Sequence, residues 1–227
     1  MAMGVEVDKF THRRVIIMYN LKQRMNYVVG IDEAGRGPLA GPVAVGAVSI
    51  LNPTTPSLRR ASKNFFKSIK DSKKLSPSDR ELWFALALEA RKEGVLDFAV
   101  SLVSEKVIDR KGLSYAIKLG IKRSLVTLGV PENSQVYLDG GIKAPEKFTH
   151  QLTVIKGDEK IPIISLASIV AKVIRDRKMV RLSKKFPEFN FDIHKGYGTS
   201  LHRKAIQKYG STEAHRQSFL KHLTRGG

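Results

Sequence analysis

Tyr27-Val28-Val29-Gly30-Ile31-Asp32-Glu33-Ala34-Gly35-Arg36-Gly37-Pro38-Leu39-Ala40-Gly41-Pro42 runs from apolar residues into two adjacent carboxylates and then into a Gly-Arg-Gly turn. Behind the prolines a second apolar run, Val43 to Leu51, leads away. The pattern predicts a buried strand carrying acid at its end, a tight loop and a second strand. Successive strand side chains face opposite sides of a sheet. A strand that persisted through both acids would therefore set only one of them over a given face. The other could present its carbonyl, or reach over where the strand twists or ends. A buried, unpaired carboxylate is costly, so acids closing an apolar run suggest a counter-charge such as a cation. The polar start of an ordinary loop would look the same at this single place. Gly35, Gly37 and Ala40 also resemble a dinucleotide fingerprint, but that motif needs a helix to begin at its glycines. Here Pro38, Gly41, Pro42 and Gly46 interrupt, and the run from Val43 is strand-like.

The 227 residues, 42% of them apolar, suffice for one sizeable core. With no cysteine, disulfides and thiolate metal sites are excluded, which fits a reducing compartment. No apolar run reaches the roughly 18 residues of a membrane span, and the N-terminus lacks a convincing signal-peptide pattern. A cytoplasmic protein without a membrane partner is expected. The formal charge of +19, from 40 basic and 21 acidic residues, implies a polyanionic partner, nucleic acid before an anionic membrane surface.

Residues 1–26 are polar and basic and form an N-terminal extension, ahead of one unit spanning 27–227 with a short basic C-terminal tail. Asn52 to Ser57 reads as a loop, followed by a basic segment from Arg59 to Lys70 with Phe65 and Phe66 inside it. Ser76-Pro77 is a helix start, and the helix is expected over Ser78 to about Glu93, ending at Gly94. Val95 to Val103 reads as a strand. Ser104 to Leu128 is helical, closed by Gly129 and Pro131. Gln135 to Leu138 and Gln151 to Ile155 read as short strands, and Ile163 to about Phe186 as a long helix with an apolar stripe and a charge set of Lys172, Arg175, Arg177, Lys178 and Arg181. The alternation of strands and helices argues α/β.

Three of these strand ends run into acid: Asp32 with Glu33, then Asp139, then Asp158. Strand ends at one edge of an α/β sheet converge, and function gathers there. Four like charges would repel, and hard divalent cations with oxygen ligands, magnesium or manganese, would relieve them. Two such ions about 4 Å apart would clamp the attacking and leaving oxygens of a phosphodiester displacement. Taken singly, Asp139-Gly140 and Gly157-Asp158 are ordinary turns; taken together with the positive charge they favour a metal site. His194, His202 and His215 are expected as phosphate contacts or satisfied structural groups rather than ligands. Phe65 and Phe66 are expected to pack in the core rather than to stack on bases.

At this point the chain resembles the ribonuclease HII family. The resemblance rests on Gly30-Ile31-Asp32-Glu33-Ala34-Gly35-Arg36-Gly37-Pro38, Asp71-Ser72-Lys73-Lys74-Leu75, Leu138-Asp139-Gly140, Lys156-Gly157-Asp158, Ala167-Ser168-Ile169-Val170-Ala171-Lys172, His194-Lys195-Gly196-Tyr197-Gly198-Thr199 and His215-Arg216-Gln217-Ser218-Phe219. It implies a ribonuclease H-like fold, a mixed central sheet flanked by helices. It implies hydrolysis of the RNA strand of RNA/DNA hybrids and nicking of duplex DNA on the 5′ side of an embedded ribonucleotide, leaving 3′-hydroxyl and 5′-phosphate ends. It further implies that Asp32, Glu33, Asp139 and Asp158 bind Mg2+ or Mn2+. Gly35, Arg36 and Gly37 would sense the ribose 2′-hydroxyl, Tyr197 would pack on the sugar beside the scissile phosphate, and Lys73 would grip a phosphate. A monomer is expected.

The bare residues agree, since glycines let a backbone approach a minor groove where the 2′-hydroxyl separates RNA from DNA. The chain departs from the family pattern at Gly112-Leu113, where an asparagine is usual after Ile108-Asp109. It also lacks the longer C-terminal region of some bacterial relatives, for which the basic N-terminus would compensate. A non-catalytic nucleic-acid-binding module on the same fold is the competing account. An unneeded carboxylate cluster, which would repel phosphate, argues against it.

Overall fold

The computed structural model describes residues 27–51, 56–67, 69 and 75–221. The N-terminal extension and Lys73 lie outside them. In chain order the elements are β1 (Tyr27–Ala34), β2 (Val43–Leu51), α1 (Pro56–Lys67), α2 (Pro77–Lys92), β3 (Asp97–Val103), α3 (Glu105–Lys111), α4 (Leu113–Leu128), β4 (Gln135–Asp139), β5 (Gln151–Val154), α5 (Gly157–Lys160), α6 (Pro162–Lys185), α7 (Phe191–His194), α8 (Ser200–Tyr209) and α9 (Gln217–Leu220). The strands form one sheet in the order β3-β2-β1-β4-β5. β1 pairs antiparallel with β2, and β2 with β3; β1–β4 and β4–β5 are parallel. The mixed sheet with flanking helices is the expected architecture.

Alternation along the strands builds two cores. Val29 and Ile31 of β1 pack with Ile117, Ile121 and Leu125 of α4 on one face. Val28 and Val48 turn to the other face, toward Phe84 of α2 and Leu166, Ile169 and Val170 of α6. Helix α6 lies so close to the central strands that side chains are excluded beneath it. A Cβ on Gly30 would come within 2.5 Å of the Ile163 backbone, and one on Gly46 would overlap the Ala167 carbonyl. A third cluster, Ala40, Met179, Phe189, Phe191, Ala205 and Ala214, ties the C-terminal segment to the loop after β1.

Local signals act where expected. Ser76 Oγ accepts the Asp79 amide at 3.1 Å and the Asp79 carboxylate accepts the Ser76 amide at 3.2 Å, a reciprocal cap on α2 with Pro77 in its first turn. Four expectations need correction. The helix expected from Ser104 to Leu128 is broken at Gly112, whose φ of 85° no helix accommodates. α1 begins at Pro56, inside the stretch expected as a loop, with proline at a helix start. The third strand starts at Asp97 rather than Val95, because α2 closes through Gly94 and Val95 still donates to the Ala90 carbonyl. Arg175, assigned to the charged side of α6, is completely buried.

Candidate active site

β1 continues to Ala34, so Asp32 and Glu33 lie within the strand rather than at its end. Parallel pairing sets Ile31 beside Leu138, which places the next residues, Asp32 and Asp139, side by side on adjoining strands about 4.8 Å apart. Asp32 shares the α6 face with Gly30 and Ala34. Its carboxylate accepts the Glu33 amide at 2.7 Å and a hydrogen bond from the Ser168 hydroxyl of α6. Asp139 ends β4, and its Oδ1 accepts the Gly157 amide at 2.6 Å. Asp158 does not end a strand. The chain leaves β5 at Val154, turns through Lys156 in a left-handed conformation, and delivers Asp158 buried in the first turn of α5. It is thus one residue from the amide that holds Asp139.

Burial, and next the neighbouring Glu33 charge, hold the Asp32 carboxyl well above the usual carboxylate range. Asp139 adds to the rise; the bonds from Ser168 and the Glu33 amide oppose it. Glu33 is raised as well, chiefly by burial, with the Asp139 charge adding to it. Arg36 offsets this, its Nη1 lying 2.7 Å from Glu33 Oε1. The other oxygen, Glu33 Oε2, is buried without a hydrogen-bond partner among the described residues.

Among the described residues no three carboxylates or histidines are already drawn around a point that could hold an ion. Glu33 leans instead on Arg36, and Asp139 on the Gly157 amide. The donor set nevertheless suits a hard divalent cation: every candidate ligand atom is oxygen, Glu33 Oε2 has no hydrogen-bond partner among the described residues, and Asp32 is pushed up by burial first and by its acidic neighbours next.

Beside the acids lies a cleft of about 370 Å3 lined by Glu33, Gly35, Arg36, Gly37, Arg80, Ser168, Lys172 and Tyr197. The Gly-Arg-Gly turn and Tyr197, 160 residues apart, face each other here; a Cβ on Gly37 would sit 3.9 Å from the Tyr197 ring. The Lys172 ammonium and the Arg175 guanidinium each lie 5.9 Å from the centre of that ring. Arg80, Ser168 and Lys172 received no site role from sequence. Ser168 and Lys172 are four apart on α6, and Arg175 three further on, a spacing that shares one helix face and could have revealed them. Arg216 offered no such signal. It is wholly buried, and it donates to the carbonyls of Gly35, Arg36 and Gly41.

The three histidines are structural groups. His202 Nδ1 donates to the Tyr197 carbonyl at 2.9 Å, and its Nε2 accepts from His215 Nε2 at 3.1 Å. His215 Nδ1 in turn accepts the Thr212 amide at 2.9 Å. His194 stacks on His202 with ring centres 4.4 Å apart. Burial holds His202 and His215 down to about 4, so both are neutral, as this one-directional chain of bonds requires.

The profile of the Ribonuclease HII family matches residues 29–222. The chain belongs to the ribonuclease HII family. A ribonuclease HII of Caldicellulosiruptor bescii is 40% identical over 203 residues, 89% of this chain and 91% of that relative. One of Natranaerobius thermophilus is 42% identical over 195 residues, 86% of this chain and 91% of that one. Among solved structures, the ribonuclease H2 from Pyrococcus horikoshii OT3 superimposes with a TM-score of 0.63 at 26% identity, over 88% of this chain and 100% of that one. Bst-RNase HIII in complex with Mn2+, at 15% identity and a TM-score of 0.59, shares the fold. The chain is therefore an enzyme of a divalent-metal-dependent endoribonuclease family. Among its described residues no helix is long and apolar enough to cross a membrane.

Proposed function

We propose that this enzyme hydrolyses the RNA strand of RNA/DNA hybrids and nicks duplex DNA 5′ of an embedded ribonucleotide, leaving 3′-hydroxyl and 5′-phosphate ends. The observation that carries the proposal is the register of β1 on β4, which sets Asp32 beside Asp139 next to the cleft shared by Gly35–Gly37 and Tyr197.

Asp32, Glu33, Asp139 and Asp158 hold Mg2+ or Mn2+ in this account. In a two-metal arrangement the ions, when bound, would supply Lewis-acid polarisation of the scissile phosphate and a more acidic water. In the hydrolysis a water oxygen bonds to phosphorus as the bond from phosphorus to the 3′ oxygen breaks; the water gives up one proton to solvent and the leaving 3′ oxygen takes one up, so the products are a 5′-phosphate and a 3′-hydroxyl. Glu33 presents its unbonded Oε2 beside this reaction, while Ser168 and the Gly157 amide fix the outer oxygens of Asp32 and Asp139. The Arg36 and Gly37 amides reach the ribose 2′-hydroxyl, which DNA lacks. Tyr197 packs on the adjoining sugar, and Lys73 grips a phosphate. The overall charge of +19 supplies sequence-independent attraction to the backbone. The enzyme acts as a cytoplasmic monomer, with residues 27–227 as the catalytic unit.

The test uses two labelled duplexes, identical except for one ribonucleotide, each with Mg2+ and with EDTA. Nicking only of the ribonucleotide duplex, only with metal, and only on its 5′ side is expected. Cleavage of both duplexes, or of neither, overturns the proposal.

A further inference from the structure

We propose that Arg175 and Arg216 are positioning residues that set the enzyme's preference for a ribonucleotide, by holding the Gly35–Pro42 loop from behind so that its amides face the substrate. The inference rests on the function proposed above for that loop.

Two guanidinium groups bind five carbonyls of one eight-residue loop. Arg216 donates from Nη2 to Gly35 at 2.7 Å, from Nη1 to Arg36 at 2.9 Å and from Nε to Gly41 at 2.9 Å. Arg175 donates from Nε to Pro42 at 3.0 Å and from Nη2 to Ala40 at 3.3 Å. In a trans peptide the C=O and the next N–H point in opposite directions. A rigid planar fork that fixes the carbonyls of Gly35 and Arg36 therefore turns the amides of Arg36 and Gly37 away from it, toward the cleft.

The loop rests directly on this clamp. Gly35 has a φ of 91°, and a Cβ there would overlap the Arg175 side chain. The missing side chain at Gly35 thus makes room for the arginine below the loop. The same Arg175 lies under the Tyr197 ring, so both proposed sensing elements share one support. Arg216 is itself anchored by the following residues, since the Asp109 carboxylate accepts the amides of Gln217 and Ser218, both at 2.9 Å.

Neither arginine is hydrogen-bonded to a carboxylate among the described residues, although both are fully buried. Arg175 Nη1 is buried with no hydrogen-bond partner among the described residues. Two buried cations without bonded counter-ions are an expensive way to brace a loop, and apolar side chains of similar size often serve a purely structural need as well. What apolar packing could not supply is orientation of the peptides and positive charge behind donors that face electron-rich oxygen.

The test is fluorescence anisotropy in EDTA, with a duplex carrying one ribonucleotide and its all-DNA counterpart, on the wild type, Arg216→Lys and Arg175→Lys. Lysine keeps the charge and loses the fork. At least a five-fold loss of the wild-type preference for the ribonucleotide duplex, with all-DNA affinity unchanged, is expected of each variant. A variant that keeps the wild-type preference, or loses affinity equally for both duplexes, overturns the clamp while leaving the proposed function standing. A wild type with no preference overturns both together. If Arg216→Lys fails to fold, Arg175→Lys decides the question by the same ratio.

Discussion

Asp139 Oδ1 accepts the amide of Gly157 at 2.6 Å, which ties the end of β4 to the turn that delivers Asp158. Two of the four acids are thereby fixed by one backbone bond. A Cβ on Gly157 would lie 2.7 Å from Ile164 Cδ1 and 3.4 Å from that same Asp139 oxygen. Gly157→Ala should push the turn away and misplace both carboxylates. Displacements near 1 Å at a reacting centre lower rates by about two orders of magnitude. The expected result is a fall of that order in kcat with little change in KM; wild-type kcat in a steady-state cleavage assay would contradict it.

Asp32 is held above its ordinary range by burial and by Glu33. Its protonated form is favoured by the fold, so its contribution to stability is complete below the unfolded carboxyl range and is lost as pH rises through the elevated value. At neutral pH the metal-free protein therefore bears the cost of a buried carboxyl group and, next to it, of its acidic neighbours. Asp32→Asn should melt at a higher temperature than the wild type in EDTA at pH 7.5, with the gap closing as the pH is lowered toward about 4, and should not cleave. Equal or lower melting temperatures at pH 7.5 would refute the electrostatic argument.

His202 and His215 are depressed to about 4. The stabilisation from keeping them neutral is present above the unfolded value near 6.5 and is lost as pH falls toward 4. Each should contribute up to about 1.4 kcal/mol per pH unit to the loss inside that window. Urea midpoints measured from pH 7 to 4 should fall most steeply there, and less steeply for His215→Gln. A flat profile would show that the chain of bonds is not held neutral.

Gly46 pairs with Asp32 in the sheet, and a Cβ on it would overlap the Ala167 carbonyl of α6. Gly46→Ala should lift the helix that carries Ser168 off the strands. Overpacking of this kind costs about 1–3 kcal/mol. Denaturant unfolding is the check, and unchanged stability would mean that the helix can move aside freely.

The parts of this enzyme that were legible in its sequence are those set by local pattern. The apolar run into Asp32 and Glu33 marks β1, and Ser76-Pro77 marks α2, because an apolar run and an N-cap serine followed by proline are written in adjacent residues. Asp158 lies in the first turn of α5 rather than at a strand end, and a left-handed turn at Lys156 leaves no apolar signature that would show it. Gly112 was passed over inside a helical periodicity that continues on both sides of it. Arg175 and Arg216 were hidden for a different reason. Their partners are backbone carbonyls more than 130 residues away, which any sequence would supply, so only the fold shows that these two charges are buried.

The most direct measurement is the melting temperature in EDTA and in millimolar Mn2+ at pH 7.5, for the wild type and for the Asp32→Asn, Asp139→Asn double variant. If the acids tolerate one another because cations sit among them, Mn2+ raises the wild-type melting temperature and leaves the variant unmoved. An equal shift in both proteins, or none in the wild type, would contradict that claim.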